Sequence, residues 1–188
     1  MIRRQRIIWT LMAGLCGLLP CLVGCPGADG TPSGSPIASM FVQGIHGGTT
    51  ECAIPLNETA LRAKVIELVN LERTGRGIGE VQMHPLLNRM AEDYACEMIA
   101  GSFFAHENPN TGEGPGHRAI NAGYIYLAIG ENLAGGQTSP EQVVSEWMHS
   151  TQGHRENILA SQWQDVGVGI RTGGQYGVYW VLEFGNPP

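Results

Sequence analysis

The stretch Asp165-Val166-Gly167-Val168-Gly169-Ile170, followed by Thr172-Gly173-Gly174 and then by the run from Tyr176 to Phe184, decides the fold class. Apolar residues recur there at every second position with glycine between them, which is the period of a strand and not of a helix. Thr172-Gly173-Gly174 is a turn signal. The Tyr-, Val-, Trp- and Phe-rich run beyond it supplies a partner, so 165–184 reads as a β-hairpin central to a sheet.

Upstream the period is helical. Asn57 is an N-cap type with Glu58 in the first turn, and Leu61, Val65, Leu68 and Val69 fall at i, i+4, i+7 and i+8. Thr74-Gly75-Arg76-Gly77 ends that helix. Pro85 opens a second, with a stripe of Leu87, Met90, Ala91, Tyr94, Ala95 and Met98 and a stop near Gly101. A third begins at Ser139-Pro140-Glu141-Gln142, an N-cap, a proline at N1, a first-turn acid and a capping-box glutamine. Val143, Val144, Trp147 and Met148 give it a buried side, and it ends between Ser150 and Gly153. Helices first and strands last, each helix with a face to cover, predict an α+β domain with helices packed on an antiparallel sheet. A domain of about 135 residues can bury enough surface for a core without metals.

The first 25 positions read as an address. Arg3, Arg4 and Arg6 precede an apolar run from Ile7 to Val23, the architecture of a secretory signal peptide. An uncleaved anchor is the competing reading, because the run approaches a membrane span in length. Leu22-Val23-Gly24-Cys25 favours the signal: it resembles a bacterial lipobox, whose cysteine receives lipid and becomes the new N-terminus. Residues 26–50 are dominated by Gly, Pro, Ser and Thr and read as a flexible tether, apart from the apolar Ile37–Val42 segment. The globular domain is placed at 51–188. The net charge is −6, and without the three leading arginines 8 basic residues face 17 acidic ones, a balance of −9. Such a surface repels phosphate backbones, so no nucleic-acid partner is expected.

Of five cysteines, Cys16 and Cys21 leave with the signal and Cys25 is the lipidation candidate. Cys52 and Cys96 remain. In an oxidising compartment they read either as a disulfide joining the start of the domain to its second helix or as two free buried thiols.

Several short blocks carry polar chemistry: His106-Glu107-Asn108-Pro109, Ala122-Gly123-Tyr124, Gly130-Glu131-Asn132-Leu133-Ala134, Glu146-Trp147-Met148-His149-Ser150, and Gly153-His154-Arg155-Glu156-Asn157-Ile158-Leu159. Singly they are weak. A histidine beside an aromatic pair is more often packed than a ligand, and Gly-Glu-Asn is more often a turn with a solvated acid. In this order, and closed by the aromatic strand to Phe184, they resemble bacterial members of the CAP superfamily (cysteine-rich secretory proteins, antigen 5 and plant pathogenesis-related proteins; the SCP domain). The resemblance implies a three-layer α-β-α sandwich with a central antiparallel sheet and a wide cleft lined by two histidines and two glutamates. Carried onto this sequence, the four are His106, Glu131, Glu146 and His154. One departure stands out: Val181-Leu182 follows Trp180 where the family usually has Gln or Thr. His117 and His149 are not family positions.

Two imidazoles and two carboxylates in one cleft suit three roles. The first is loose, exchangeable binding of a divalent metal by His106 and His154, whose imidazoles suit zinc or copper, with zinc the cofactor considered. The second is acid–base hydrolysis of peptide or envelope polymer by Glu131 and Glu146. The third is a structural or adhesion domain with a vestigial cleft. The chain has no His-Glu-x-x-His, no Gly-x-Ser-x-Gly elbow and no phosphate loop or dinucleotide fingerprint. An extracytoplasmic, membrane-tethered binding module for a metal ion, a small lipid or an envelope peptide is therefore the leading expectation, ahead of an enzyme.

Overall fold

Residues 51–188 are described by a computed structural model; the segments read from the sequence as a signal peptide, a lipidation site at Cys25 and a tether over 26–50 lie outside the described residues. The hairpin read from the sequence is present as β3 (Asp165–Gly173) and β4 (Gly177–Asn186), paired antiparallel with Val168 opposite Leu182. The alternation in β3 has a packing meaning. Val166, Val168 and Ile170 face one side of the sheet and join the larger core cluster. Gly167 and Gly169 face the other, where helix α2 (Pro85–Gly101) lies so close that a Cβ at either glycine would overlap the backbone of Leu87 or Ala91. The missing side chains let a helix backbone sit directly on the sheet.

The three long helices fall where the sequence puts them: α1 (Glu58–Thr74), α2, and α4 (Pro140–His149). Asn57 precedes α1 but makes no side-chain capping bond. Ser139 does cap α4, accepting from the Gln142 N–H at 3.2 Å, and Gln142 reaches back to the Thr138 N–H rather than to Ser139 itself. The elements missed in the sequence are short or mixed in composition: β1 (Gln82–Met83), α3 (Pro115–Asn121), α5 (His154–Ile158) and above all β2 (Ala128–Gly135), which contains the Gly-Glu-Asn block.

The sheet runs in the order β1-β3-β4-β2. It is antiparallel except for β1, which adds in parallel at the edge of β3. Helices cover both faces. On one, α1 and α4 bring Leu61, Val65, Val69, Val143, Val144 and Trp147 against Val168, Ile170, Trp180, Leu182 and Phe184. On the other, α2 brings Ala91, Tyr94, Ala95, Met98 and Ile99 against Leu133, Tyr179 and Val181. This is the expected three-layer sandwich.

Cys52 and Cys96 form a disulfide, with Cα atoms 5.2 Å apart across 44 residues, so the free-thiol reading falls. The bond fixes the start of the domain to α2, and Ala53 continues the attachment by exchanging backbone hydrogen bonds with Thr172 at the end of β3. A buried arginine closes the opposite end. Arg73, in the last turn of α1, is fully buried and donates to the carbonyls of Gly79, Ile158, Ala160 and Trp163 at 2.7–3.3 Å. It holds the loop between α5 and β3 against α1.

The close approach of α2 yields a first prediction. Gly169→Ala forces the helix off the sheet and costs about 3 kcal/mol or more, at or beyond the upper end of core overpacking. It should appear as a lower urea midpoint with an unchanged slope. A midpoint within error of the parent would contradict the packing described.

Candidate functional site

The site is built around one strand. β2 pairs with β4 so that Glu131 stands directly opposite Glu183 on the face covered by α2. The Glu131 side chain is 1 % exposed and both its oxygens are engaged. Oε1 meets His106 Nδ1 at 2.7 Å, and Oε2 accepts from Arg118 Nη2 at 2.6 Å. Arg118, in α3, is itself buried. It also donates to the carbonyls of His106 and Glu113, and its guanidinium lies 3.3 Å from the centre of the Tyr94 ring. A buried carboxylate is stable only with such partners, and here a cation and an imidazole provide them.

The loop that carries His106 is tightly tied. Buried Asn108 donates to Glu97 Oε2, its Oδ1 accepts from the Asn110 N–H, and its own backbone binds Glu113 and Gly112. The Tyr94 hydroxyl donates to the Ala105 carbonyl at 2.5 Å, and burial, opposed by Arg118, pushes that hydroxyl's pKa up to about 12. The His106 side chain is left more than half exposed.

His154 comes from the other side. It is the first residue of α5, and Gly153 before it adopts φ +92°, a left-handed turn that favours glycine. His154 Nδ1 lies 3.1 Å from Ser150 Oγ, at the end of α4. Its backbone carbonyl accepts from Asn132 Nδ2, whose Oδ1 accepts from Asn157 Nδ2, and the Asn157 carbonyl accepts from Trp163 Nε1. Burial first, and the nearby His106 second, lower the pKa of His154 below the ordinary histidine value. The ring is therefore neutral at pH 7.

His106, Glu131 and His154 line one open hollow of about 410 Å³, together with Asn132, Glu156, Asn157 and Trp163 among others. A second hollow of about 400 Å³, bordered by Pro115, Tyr126, Ile129 and Gly130, shares His106 and Glu131 with the first. Glu146 is not brought to either. It is exposed on the outer side of α4, where Gln137 and Gln142 bind its carboxylate. Its neighbour Trp147 turns inward to donate to the Leu133 carbonyl, and consecutive helical residues point about 100° apart. The partner of His154 is the Ser150 hydroxyl, one turn beyond Glu146.

Glu183 is the site residue that the sequence reading missed. It is fully buried, and neither carboxyl oxygen has a donor among the described residues. Its cross-strand neighbour is the Glu131 carboxylate, which only accepts unless one of the pair carries a proton. Burial, reinforced by the charge of Glu131, raises the Glu183 pKa well above the usual carboxylate range, which favours Glu183 as the member of the pair that keeps a proton. The only sign in the sequence was an acid inside an otherwise apolar strand.

As for metals, no cluster of three or more His, Cys, Asp or Glu side chains with metal-binding geometry occurs among the described residues. What the hollow offers is two imidazoles. Each has Nδ1 engaged, by Glu131 or by Ser150, so Nε2 is the nitrogen left to a ligand. A carboxylate on the far nitrogen is the usual orienting partner of a metal-bound histidine. Two such donors suit an exchangeable ion that keeps other ligands, and not a closed structural site.

The comparisons with known proteins identify a family. The model of the cysteine-rich secretory protein family matches residues 66–184. The chain belongs to that family. Bacillus subtilis YkwD is 35% identical over 135 residues, which cover 72% of this chain and 51% of YkwD. Bacillus subtilis YlbC is 23% identical over 60% of this chain and 32% of its own length. The chain thus spans about half or less of these curated relatives. Among solved structures, an extracellular SCP-domain protein of Bacillus anthracis aligns with a TM-score of 0.60 at 22% identity, covering 68% of this chain and 41% of that one. An outer surface protein of Borrelia burgdorferi aligns with a TM-score of 0.60 at 20% identity, covering 70% and 93%. At those identities the likeness is one of fold. Among the described residues, no helix is long and apolar enough to cross a membrane.

The retained proton of Glu183 can be tested by stability. A carboxyl whose folded pKa is raised stabilises fully below its unfolded value of about 4.3, and that stability is lost as pH rises toward the folded value. Glu183→Gln keeps a donor for Glu131 and removes this loss. Its urea midpoint should therefore gain on the parent between pH 5 and pH 8. A difference that stays constant with pH would show Glu183 ionised in the folded state.

Proposed function

We propose that this chain is an exported binding module, tied to a membrane by lipid on Cys25, whose hollow takes a divalent transition metal such as zinc on Nε2 of His106 and His154. The observation that carries the reading is the shared hollow in which both rings have Nδ1 engaged and the remaining nitrogen open. Burial keeps His154 neutral, the form that ligates.

The competing chemistries fit less well. A glutamate pair for hydrolysis needs two available carboxylates, whereas Glu131 is consumed by Arg118 and His106, and Glu146 lies outside the hollow. A small lipid needs mostly apolar walls, whereas in this hollow Trp163 and Ala160 are the apolar side chains in a rim otherwise made by His, Glu, Asn and Gln. The extracytoplasmic reading is supported by the basic and apolar leader ending at Cys25, and by the Cys52–Cys96 disulfide, which persists in oxidising compartments. It is also supported by the extracellular and outer-surface descriptions of two fold relatives.

Calorimetric titration of the full chain with zinc tests the site. His106→Ala and His154→Ala should each weaken binding by more than about tenfold with circular dichroism unchanged. His117→Ala and His149→Ala should leave it as it was. Equal affinity across all four variants would remove the metal reading.

A further inference from the structure

We propose that the cleft also captures an extended peptide, which adds as a strand to the open edge of β2 at Ile129 and Glu131. The inference goes beyond the metal reading and needs no metal.

It starts from hydrogen-bond parity. In an antiparallel ladder, alternate residues direct both N–H and C=O to the partner, and those between direct both away. The Thr172 N–H and C=O serve Ala53, so the odd-numbered residues of β3 face β4. Odd residues of β4 then face β3, and its even residues, Leu182 and Phe184 among them, face β2. The Gly136 N–H donating to the Val178 carbonyl at 2.9 Å agrees from the other end. In β2, therefore, Gly130 and Asn132 bond to β4, whereas Ile129, Glu131 and Leu133 turn their backbone groups to the outer edge.

The fate of those outward groups differs along the strand. The Leu133 carbonyl is taken by the Trp147 indole. At Ile129 and Glu131, no partner on that side occurs among the described residues. Both residues line a hollow, so the edge is reachable. Glu131 makes the point sharply: the residue is 9 % exposed although its side chain is 1 % exposed, so what it shows to solvent is mainly backbone. An edge of this kind is otherwise blunted by charge, proline or a covering segment.

The surroundings suit a peptide rather than a compact ligand. Two outward N–H and C=O sets, two residues apart, match the repeat of a second strand. Alternate side chains of an added strand point to opposite faces of the sheet, and two adjoining hollows of about 400 Å³, which share His106 and Glu131, border this edge. One is walled by His154, Asn157 and Trp163, the other by Pro115 and Tyr126. Main-chain bonds would supply affinity and the two hollows would select alternate side chains.

Two measurements on the full chain test this. The first is amide hydrogen exchange by NMR without ligand. The Ile129 and Glu131 amides should exchange at least about a hundredfold faster than those of Gly130 and Asn132. Equal protection at all four would overturn the proposal. The second is panning against a random linear dodecapeptide phage library in the presence of chelator. Enriched peptides should protect the Ile129 and Glu131 amides and lose affinity when alternate peptide amides are N-methylated. They should also lose more than about tenfold on Ile129→Pro, which removes an outward N–H and no ladder bond. Failure to enrich any binder, or binders indifferent to N-methylation and to Ile129→Pro, would overturn it as well. Zinc binding that survives such a failure would leave the metal reading intact.

Discussion

The carboxylate of Glu131 is the fixed point on which the cleft depends. It is buried on the α2 face of the sheet, where an uncompensated charge would be costly, and its two oxygens recruit Arg118 from α3 and His106 from the preceding loop. Arg118 then ties the carbonyls of His106 and Glu113 to the same cluster. One strand residue thereby positions a short helix, a loop and an imidazole. The same engagement removes Glu131 from the list of free acids: its role is to orient His106 and set which ring nitrogen stays open.

The sheet supplies the rigidity behind that cluster. Because Gly167 and Gly169 let α2 sit on the strands, Tyr94 and Glu97 of α2 come within reach of the His106 loop and of Asn108. On the opposite face Arg73 clamps the α5–β3 loop that brings Trp163 to the hollow. A second network joins Glu58 and Arg62 of α1, Glu92 of α2 and Arg171 of β3. Arg62 also donates to the Val168 carbonyl and Asn88 accepts the Val168 N–H, so the edge of β3 at Val168, between β1 and Ala53, is covered by side chains. The edge of β2 receives no such cover at Ile129 and Glu131. The contrast between the two edges is the ground on which the peptide is placed at β2.

The long helices, the hairpin and the α+β class were legible because each rests on a repeating pattern: a four-residue stripe, a capped start, or alternation around glycine. Three of the four expected cleft residues, His106, Glu131 and His154, do line one hollow. Glu146, carried over from the family resemblance as the residue before Trp147, lies on the exposed side of α4 instead. Along a helix the inward residue and its neighbour diverge, and Ser150 takes the place by His154. The strand β2 was hidden because Gly130, Glu131 and Asn132 are poor strand formers when viewed alone. They are held there by pairing with β4 and by the partners of their side chains. Arg118 left no sign in the sequence, and Glu183 only that of an acid in an apolar strand, for a related reason. A buried charge declares itself only through what surrounds it.

The account stands most directly on the nitrogen that Glu131 leaves open. Imidazole ¹⁵N NMR of the full chain, recorded before and after zinc, reads that state at each ring. The account predicts His106 with its proton on Nδ1 in the free protein, and zinc-induced shifts at Nε2 of His106 and His154 with both Nδ1 signals little changed. A His106 ring protonated on Nε2, or shifts confined to other histidines, would contradict it.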